Sequence, residues 1–175
     1  MKIIETGIEG LKVIELQKFE DDRGFFMEKF NKKHFTDNGL NSNLMQVNHS
    51  LSHKGVLRGL HFQTDPWQGK IVSCISGSIN DVAVDIRKNS PTFGKNFAIT
   101  IDCPEIMLYI PHGFAHGFET LSETANVLYF TDALYNSQSD GGIHCDSCGI
   151  KWKTKKPLLS PKDTQLPTFQ NFASK

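Results

Sequence analysis

No stretch of this sequence approaches the roughly 18 consecutive apolar residues of a membrane helix, so nothing in it argues for a membrane span. Charge bias is missing as well. Lys plus Arg total 19 and Asp plus Glu total 19, a formal net charge of zero. Nucleic-acid binding normally needs a basic face, and this balance gives it no support. Any anion site must be assembled locally from a few arginines and lysines. The opening residues, "MKIIETGIEG", lack the apolar run and small-residue cleavage site of a secretory signal, so the expected location is the cytoplasm. Low-complexity segments and clear repeats are absent too. A chain of 175 residues suffices for one sizeable core and is short for two, so 1–175 is expected to form one domain.

Cysteine is scarce: Cys74, Cys103, Cys145 and Cys148. Without a secretory signal these read as free thiols. The "CDSC" at 145–148 adjoins His144 but lacks the second pair, or the spaced histidines, of a structural zinc site. It reads as a surface turn. Small β-barrels often hold a metal with two histidines one residue apart on a strand. Here His61 is followed by Gln63 at that spacing. His112 and His116, in "PHGFAHGF", follow Pro111 and flank Gly113, which reads as loop. No metal is expected.

What is present is a succession of short strand-like runs. "LKVIEL" and "GFFMEKF" read as strands with "EDDRG" as the turn between them. "NKKHFTDNG" is the best helix, with Asn31 to cap it and Gly39 to end it. "LMQVNHSLS", "VLRGLHF", "KIVSCIS", "INDVAVDIR", "NFAITI", "IMLYI" and "ANVLYFT" follow as strands. "SGS" at 76–78 looks like a hairpin turn and "KNSPTFG" like a longer loop. This spacing argues for an all-β sandwich or barrel, with the irregular tail from Thr154 wrapping over a sheet.

Alternation assigns faces. Gln46, Asn48 and Ser50 share one face of their strand, toward solvent or toward a polar cavity. Val82, Val84 and Ile86 form a core face, leaving Asp81, Asp85 and Arg87 opposite. Asp85 and Arg87 then read as a surface or interface ion pair. In "VLRGLHFQ", strict alternation puts Leu57, Gly59, His61 and Gln63 together, against Arg58, Leu60 and Phe62. A bulge at Gly59 would instead bring Arg58 and His61 to one side. His61 is open to three readings: a satisfied core histidine, a metal ligand, or a base. Histidine is the side chain whose ordinary pKa, about 6.5, suits proton transfer near neutrality. A base acting on carbon also needs a partner fixing its tautomer and a cation or acid beside the oxygen that gains charge. Lys70, Tyr129 and Asp163 are candidates, though spacing alone does not bring them together.

The runs "DDRGFFMEKF", "QVNHSLSHKGVLRGLHFQ", "QGKIVSCISGSINDVAVDIRKNSPTFGK", "IPHGFAHGFETLSETANVLYF" and "LLSPKD" resemble the dTDP-4-dehydrorhamnose 3,5-epimerases, in order and through nearly the whole chain. The resemblance implies an all-β, cupin-like double-stranded β-helix, or jelly roll, with short peripheral helices, forming a homodimer. It implies an isomerase of dTDP-rhamnose biosynthesis, which feeds cell-surface polysaccharides, working on a dTDP-sugar without metal or organic cofactor. His61 would be the base that removes the C3 and C5 protons. Asp163 would hold its far nitrogen, Lys70 would sit by the C4 oxygen, and Tyr129 would be the acid on the opposite face. Tyr135 would stack on the thymine. Arg23, Glu28, Gln46, Asn48, Arg58, His116, Asp140 and Lys162 match substrate-contacting positions. The chain departs in "GGIHCDSCGIKW", which is shorter and less acidic than usual, and in Asp140, where glutamate is common; both bear on nucleotide recognition more than on chemistry. The nearest alternatives are a 3- or 5-monoepimerase or a ketoisomerase on a related dTDP-4-keto-6-deoxy sugar. A non-catalytic sugar-binding barrel and a metal-dependent cupin oxygenase are rivals from other classes.

Overall fold

Short strands bounded by glycine, proline and polar turns assemble into two facing antiparallel sheets in a computed structural model that describes residues 1–174. The first sheet holds β1 (Lys2–Glu5), β2 (Lys12–Glu15), β5 (Gln46–His53), β7 (Lys70–Ser76), β10 (Ile106–Ile110) and β12 (Thr124–Thr131), in the order β1-β2-β10-β7-β12-β5. The second holds β6 (Leu57–Gln63), β8 (Ile79–Asp85), β9 (Asn96–Ile101), β11 (Phe114–Thr120) and β13 (Asp140–Gly142), in the order β13-β6-β11-β8-β9. A separate ribbon pairs β3 (Lys18–Asp21) with β4 (Gly24–Met27). Two short α-helices, α1 (Lys32–Asp37) and α2 (Phe169–Ala173), lie outside the sheets. This is the expected all-β, jelly-roll-like architecture. No helix among the described residues is long and apolar enough to cross a membrane.

Alternation explains the layering. Val72, Cys74, Leu108 and Val127 of the first sheet meet Ala83, Phe114 and Phe118 of the second to form the inner core. The outer face of the first sheet buries Ile14, Ile71 and Met107 under Phe35 of α1. That helix forms as the sequence suggests: the Asn31 side chain accepts the His34 N–H, and Gly39 follows the cap at φ +68°. The outer face of the second sheet carries Leu60, Val82, Val84 and Ala115 under Trp152, Phe169 and Phe172 of the tail. The tail therefore closes a second apolar layer, and its course is fixed by that burial.

Several sequence expectations need correction. "SGS" is not a hairpin turn: β7 and β8 belong to different sheets, and the turn at Gly77, φ +85°, carries the chain across. The segment around His116 is a buried strand, β11, despite Pro111 and Gly113 just before it. β1, β3 and β13 were not expected as strands. Asp85 is fully buried and is no surface partner. It binds the Arg87 guanidinium at 2.7 and 2.9 Å and the hydroxyls of Ser90 and Thr92, both at 2.6 Å, and so organises the loop between β8 and β9. "CDSC" is a 3-10 turn with Asp146 exposed, but its two thiols, Cys145 and Cys148, are turned inward and buried.

The bulge at Gly59 is present. Across β6 and β11, His61 pairs with His116 and Arg58 with Phe118, so two residues, Gly59 and Leu60, stand against one, Gly117. Gly59 sits at φ +121°, and a Cβ there would lie 2.6 Å from Gly117 Cα and 2.7 Å from His116 O. Only glycine meets both demands. The extra residue turns Arg58 and His61 toward the same cavity.

Candidate active site

Between the two sheets opens a cavity of about 720 Å³, a size ordinary for a small-molecule site. The second sheet contributes His61 and His116 from the directly paired strands β6 and β11. The first sheet contributes Gln46 and Asn48 from β5, Lys70 from β7 and Tyr129 from β12. In the register, Tyr129 lies opposite Asn48 and Val72, and Thr131 lies opposite Gln46 and Lys70. Cross-strand partners and residues two apart share a face, so all four polar side chains point inward together. The polar face of β5 is thus a cavity wall, and its apolar face, Met45, Val47 and Leu51, is the exposed one.

His61 Nε2 lies 2.6 Å from Asp163 Oδ1. Asp163 is 3% exposed and stands at the start of a 3-10 turn in the tail, where its N–H donates to Ser160 Oγ. Burial lowers the pKa of His61; Asp163 raises it in part, and Lys70 and Lys162 lower it further. Burial therefore favours the neutral ring, the form able to accept a proton. Burial also pushes Lys70 down to about 8, with Asp140 and Asp81 opposing. It is still mainly an ammonium at neutrality. Among the described residues that ammonium makes no ion pair, which leaves it available to an anionic oxygen.

A second histidine–carboxylate pair faces the cavity: His116 Nε2 lies 2.6 Å from Asp81 Oδ1, with both residues buried. Asp81, invisible as a site residue in the sequence, is recognisable only once β8 and β11 are paired. The Tyr129 ring packs against the inner core, while its hydroxyl makes no hydrogen bond to any described residue. At the mouth, Tyr135 donates to Asp140 Oδ2 at 2.9 Å, and Lys162 Nζ donates to the same oxygen at 2.5 Å. Arg58 lines the cavity while its Nε donates to Ser52 Oγ at 2.9 Å.

Two expected site residues lie elsewhere. Arg23 is in the turn of the β3–β4 ribbon, ion-paired to Asp21 and almost fully exposed. Glu28 follows the ribbon, 3.1 Å from His34, beside a separate cavity of about 270 Å³. Within one chain neither lines the main cavity.

Among the described residues, the cluster with metal-ligand spacing is His144, Cys145 and Asp146. Burial pushes the Cys145 thiol up to about 11, and its hydrogen points to Asp146 at 3.8 Å. Gln63, in the position where a metal-binding barrel carries histidine, turns its amide to backbone groups of neighbouring loops.

The family model described as dTDP-4-dehydrorhamnose 3,5-epimerase matches residues 5–171. A protein of that name from Shigella flexneri is 47% identical over 174 residues, covering 97% of this chain and 96% of its own. The crystal structure of the Elizabethkingia anophelis dTDP-4-dehydrorhamnose 3,5-epimerase superposes with a TM-score of 0.92 at 44% identity, over 98% of this chain and 97% of that one. A Legionella pneumophila 3,5-epimerase in complex with dTDP-4-keto-L-rhamnose gives the same TM-score, 0.92, at 41% identity, over 95% and 92% of the two chains. A two-sheet barrel with a polar cavity, matched along almost its entire length in sequence and in shape, places this chain in the dTDP-4-dehydrorhamnose 3,5-epimerase family, as an isomerase of the carbohydrate-epimerase class.

Proposed function

We propose that this chain, folded as one domain, inverts C3 and C5 of dTDP-4-dehydro-6-deoxyglucose to give dTDP-4-dehydrorhamnose. One observation carries the reading: His61, paired with Asp163 of the tail, comes from one sheet, and Lys70 and Tyr129 come from the sheet facing it. A proton beside a ketone is weakly acidic because the carbanion spreads onto oxygen as an enolate. His61, held neutral, accepts that proton, and Asp163 fixes the tautomer and steadies the imidazolium that forms. The Lys70 ammonium stabilises charge developing on the C4 oxygen, usually the largest catalytic term. Tyr129 then donates its phenolic proton to carbon from the opposite side, which inverts the centre. The C4 ketone activates both neighbours, so one set of groups serves C3 and C5 in turn. Tyr135 stacks on the thymine, and Arg58, Lys162 and the remaining polar wall orient the diphosphate and sugar, spending remote binding energy on position.

We propose further that the protein works as a homodimer. Phe19, Phe25 and Phe26 on the ribbon, and Met45, Val47 and Leu51 on the edge strand β5, are each more than half exposed. Exposed apolar side chains in this number favour a protein partner. A second copy covering it also offers a route for Arg23 and Glu28 to a cavity, that of the partner, which their own chain does not provide.

Incubation with dTDP-4-keto-6-deoxyglucose in D2O tests the chemistry. Deuterium at both C3 and C5 supports the reading. Deuterium at one carbon identifies a monoepimerase, and none at either rejects proton abstraction altogether.

A further inference from the structure

The loop from Asp132 to Ser139 joins β12 of one sheet to β13 of the other and has no strand partner of its own at its start. Backbone groups in such a segment need partners from side chains. Glutamines supply them to four consecutive residues. Gln68 Nε2 donates to Ala133 O at 2.9 Å, and Gln63 Nε2 donates to Leu134 O at 3.1 Å. The Tyr135 N–H donates to Gln46 Oε1 at 3.0 Å, and the Asn136 N–H to Gln63 Oε1 at 2.8 Å. Gln63 spends its second N–H on Pro66 O at 2.9 Å, so its amide ties two loops to β6. It is 3% exposed. Only an uncharged amide offers both donors and an acceptor at one position, which explains glutamine here rather than glutamate or histidine.

We infer that Gln63 is a positioning residue for nucleotide binding: with Gln46 and Gln68 it clamps the backbone of residues 133–136, so that Tyr135 stands at the cavity mouth before the nucleotide arrives. This rests on the reading of Tyr135 as the stacking residue. Tyr135 is 59% exposed; its hydroxyl contact to Asp140 fixes one end of the side chain and the clamped backbone the other. A ring held in place loses less freedom on binding, and that difference appears as affinity.

Four proteins test the inference: wild type, Gln63→Met, Tyr135→Ala and the double variant, with dTDP affinity measured by calorimetry and kcat and KM measured beside it. Gln63→Met keeps length and apolar volume while losing all three hydrogen bonds. We expect dTDP binding to weaken about fivefold or more, within the range that stacking contributes. KM should rise in parallel and kcat should stay within about twofold, a split that general loosening of the fold would not give. In the Tyr135→Ala background the same change should add less than about twofold, because its effect passes through the ring. If Tyr135→Ala weakens dTDP binding but Gln63→Met does not, or if the two effects add, the clamp is refuted and the stacking reading stands. If Tyr135→Ala leaves dTDP affinity unchanged, both fall. Should Gln63→Met fail to fold, Gln63→Glu serves in its place, since it keeps the acceptor for Asn136 and sets oxygen against two carbonyls.

Discussion

Burial holds the His61 pKa below its ordinary value, and the nearby lysines add to the effect that Asp163 only partly offsets. As the proposed base, His61 must be neutral to act, so activity is expected to fall as pH drops through that lowered pKa. Lys70 must be charged, so activity is lost as pH rises through about 8. A bell-shaped profile of kcat/KM is therefore expected, with its acidic limb below about 6.5 and its basic limb near 8. An acidic limb above the ordinary histidine value would contradict the burial argument. His61→Ala should cut turnover by at least about 100-fold, and Asp163→Ala by less, since the ring remains and only its tautomer and orientation are freed. Steady-state rates on folded variants check the order, and equal activity of His61→Ala and wild type would remove His61 from the mechanism. At this scale the sequence was least informative. Asp163 stands 102 positions from His61, and no periodicity joins a strand to a turn in a distant tail. The resemblance, not the pattern, brought the pair together.

Strands were more legible than the joints between them. Every run with period-two alternation and clean flanking turns, from "KIVSCIS" to "NFAITI", is a strand in the fold. β11 escaped because Pro111 and Gly113 dominate its entrance and read as loop. The crossing at Gly77 escaped because a turn sequence sets local geometry and says nothing about which sheet receives the next strand. The bulge at Gly59 was an open alternative in the sequence, and the structure decides it through the shifted register of β6 on β11. It also yields a prediction for that element. Gly59→Ala puts a methyl against Gly117 Cα and His116 O and forces alanine to a positive φ. Strain and overpacking together should cost about 2–4 kcal/mol in urea unfolding, and Arg58 should lose its alignment with His61. A change below about 0.5 kcal/mol would mean that the bulge relaxes freely.

At the scale of the whole molecule, two sheets give a cavity two chemically distinct walls. Neither wall alone holds both the proposed base, His61, and the proposed acid, Tyr129. The ribbon that carries Arg23 stands apart from its own cavity, and this concerns assembly rather than chain folding. Sedimentation should give twice the chain mass of 19.7 kDa. Phe26→Asp should yield a folded monomer with raised KM, because the apolar contact is broken while His61 and Tyr129 stay in place. A monomeric wild type with full activity would dismiss the dimer. The two-walled arrangement is tested most directly by Tyr129→Phe, which removes one proton donor and leaves shape, base and enolate stabiliser intact. Deuterium wash-in at C3 and C5 and formation of the inverted product are measured on the same samples. Wash-in should continue while net inversion falls by at least about 100-fold, the usual contribution of a positioned acid. Inverted product at the wild-type rate would mean that the proton comes from elsewhere and that the opposed walls do not do the chemistry assigned to them.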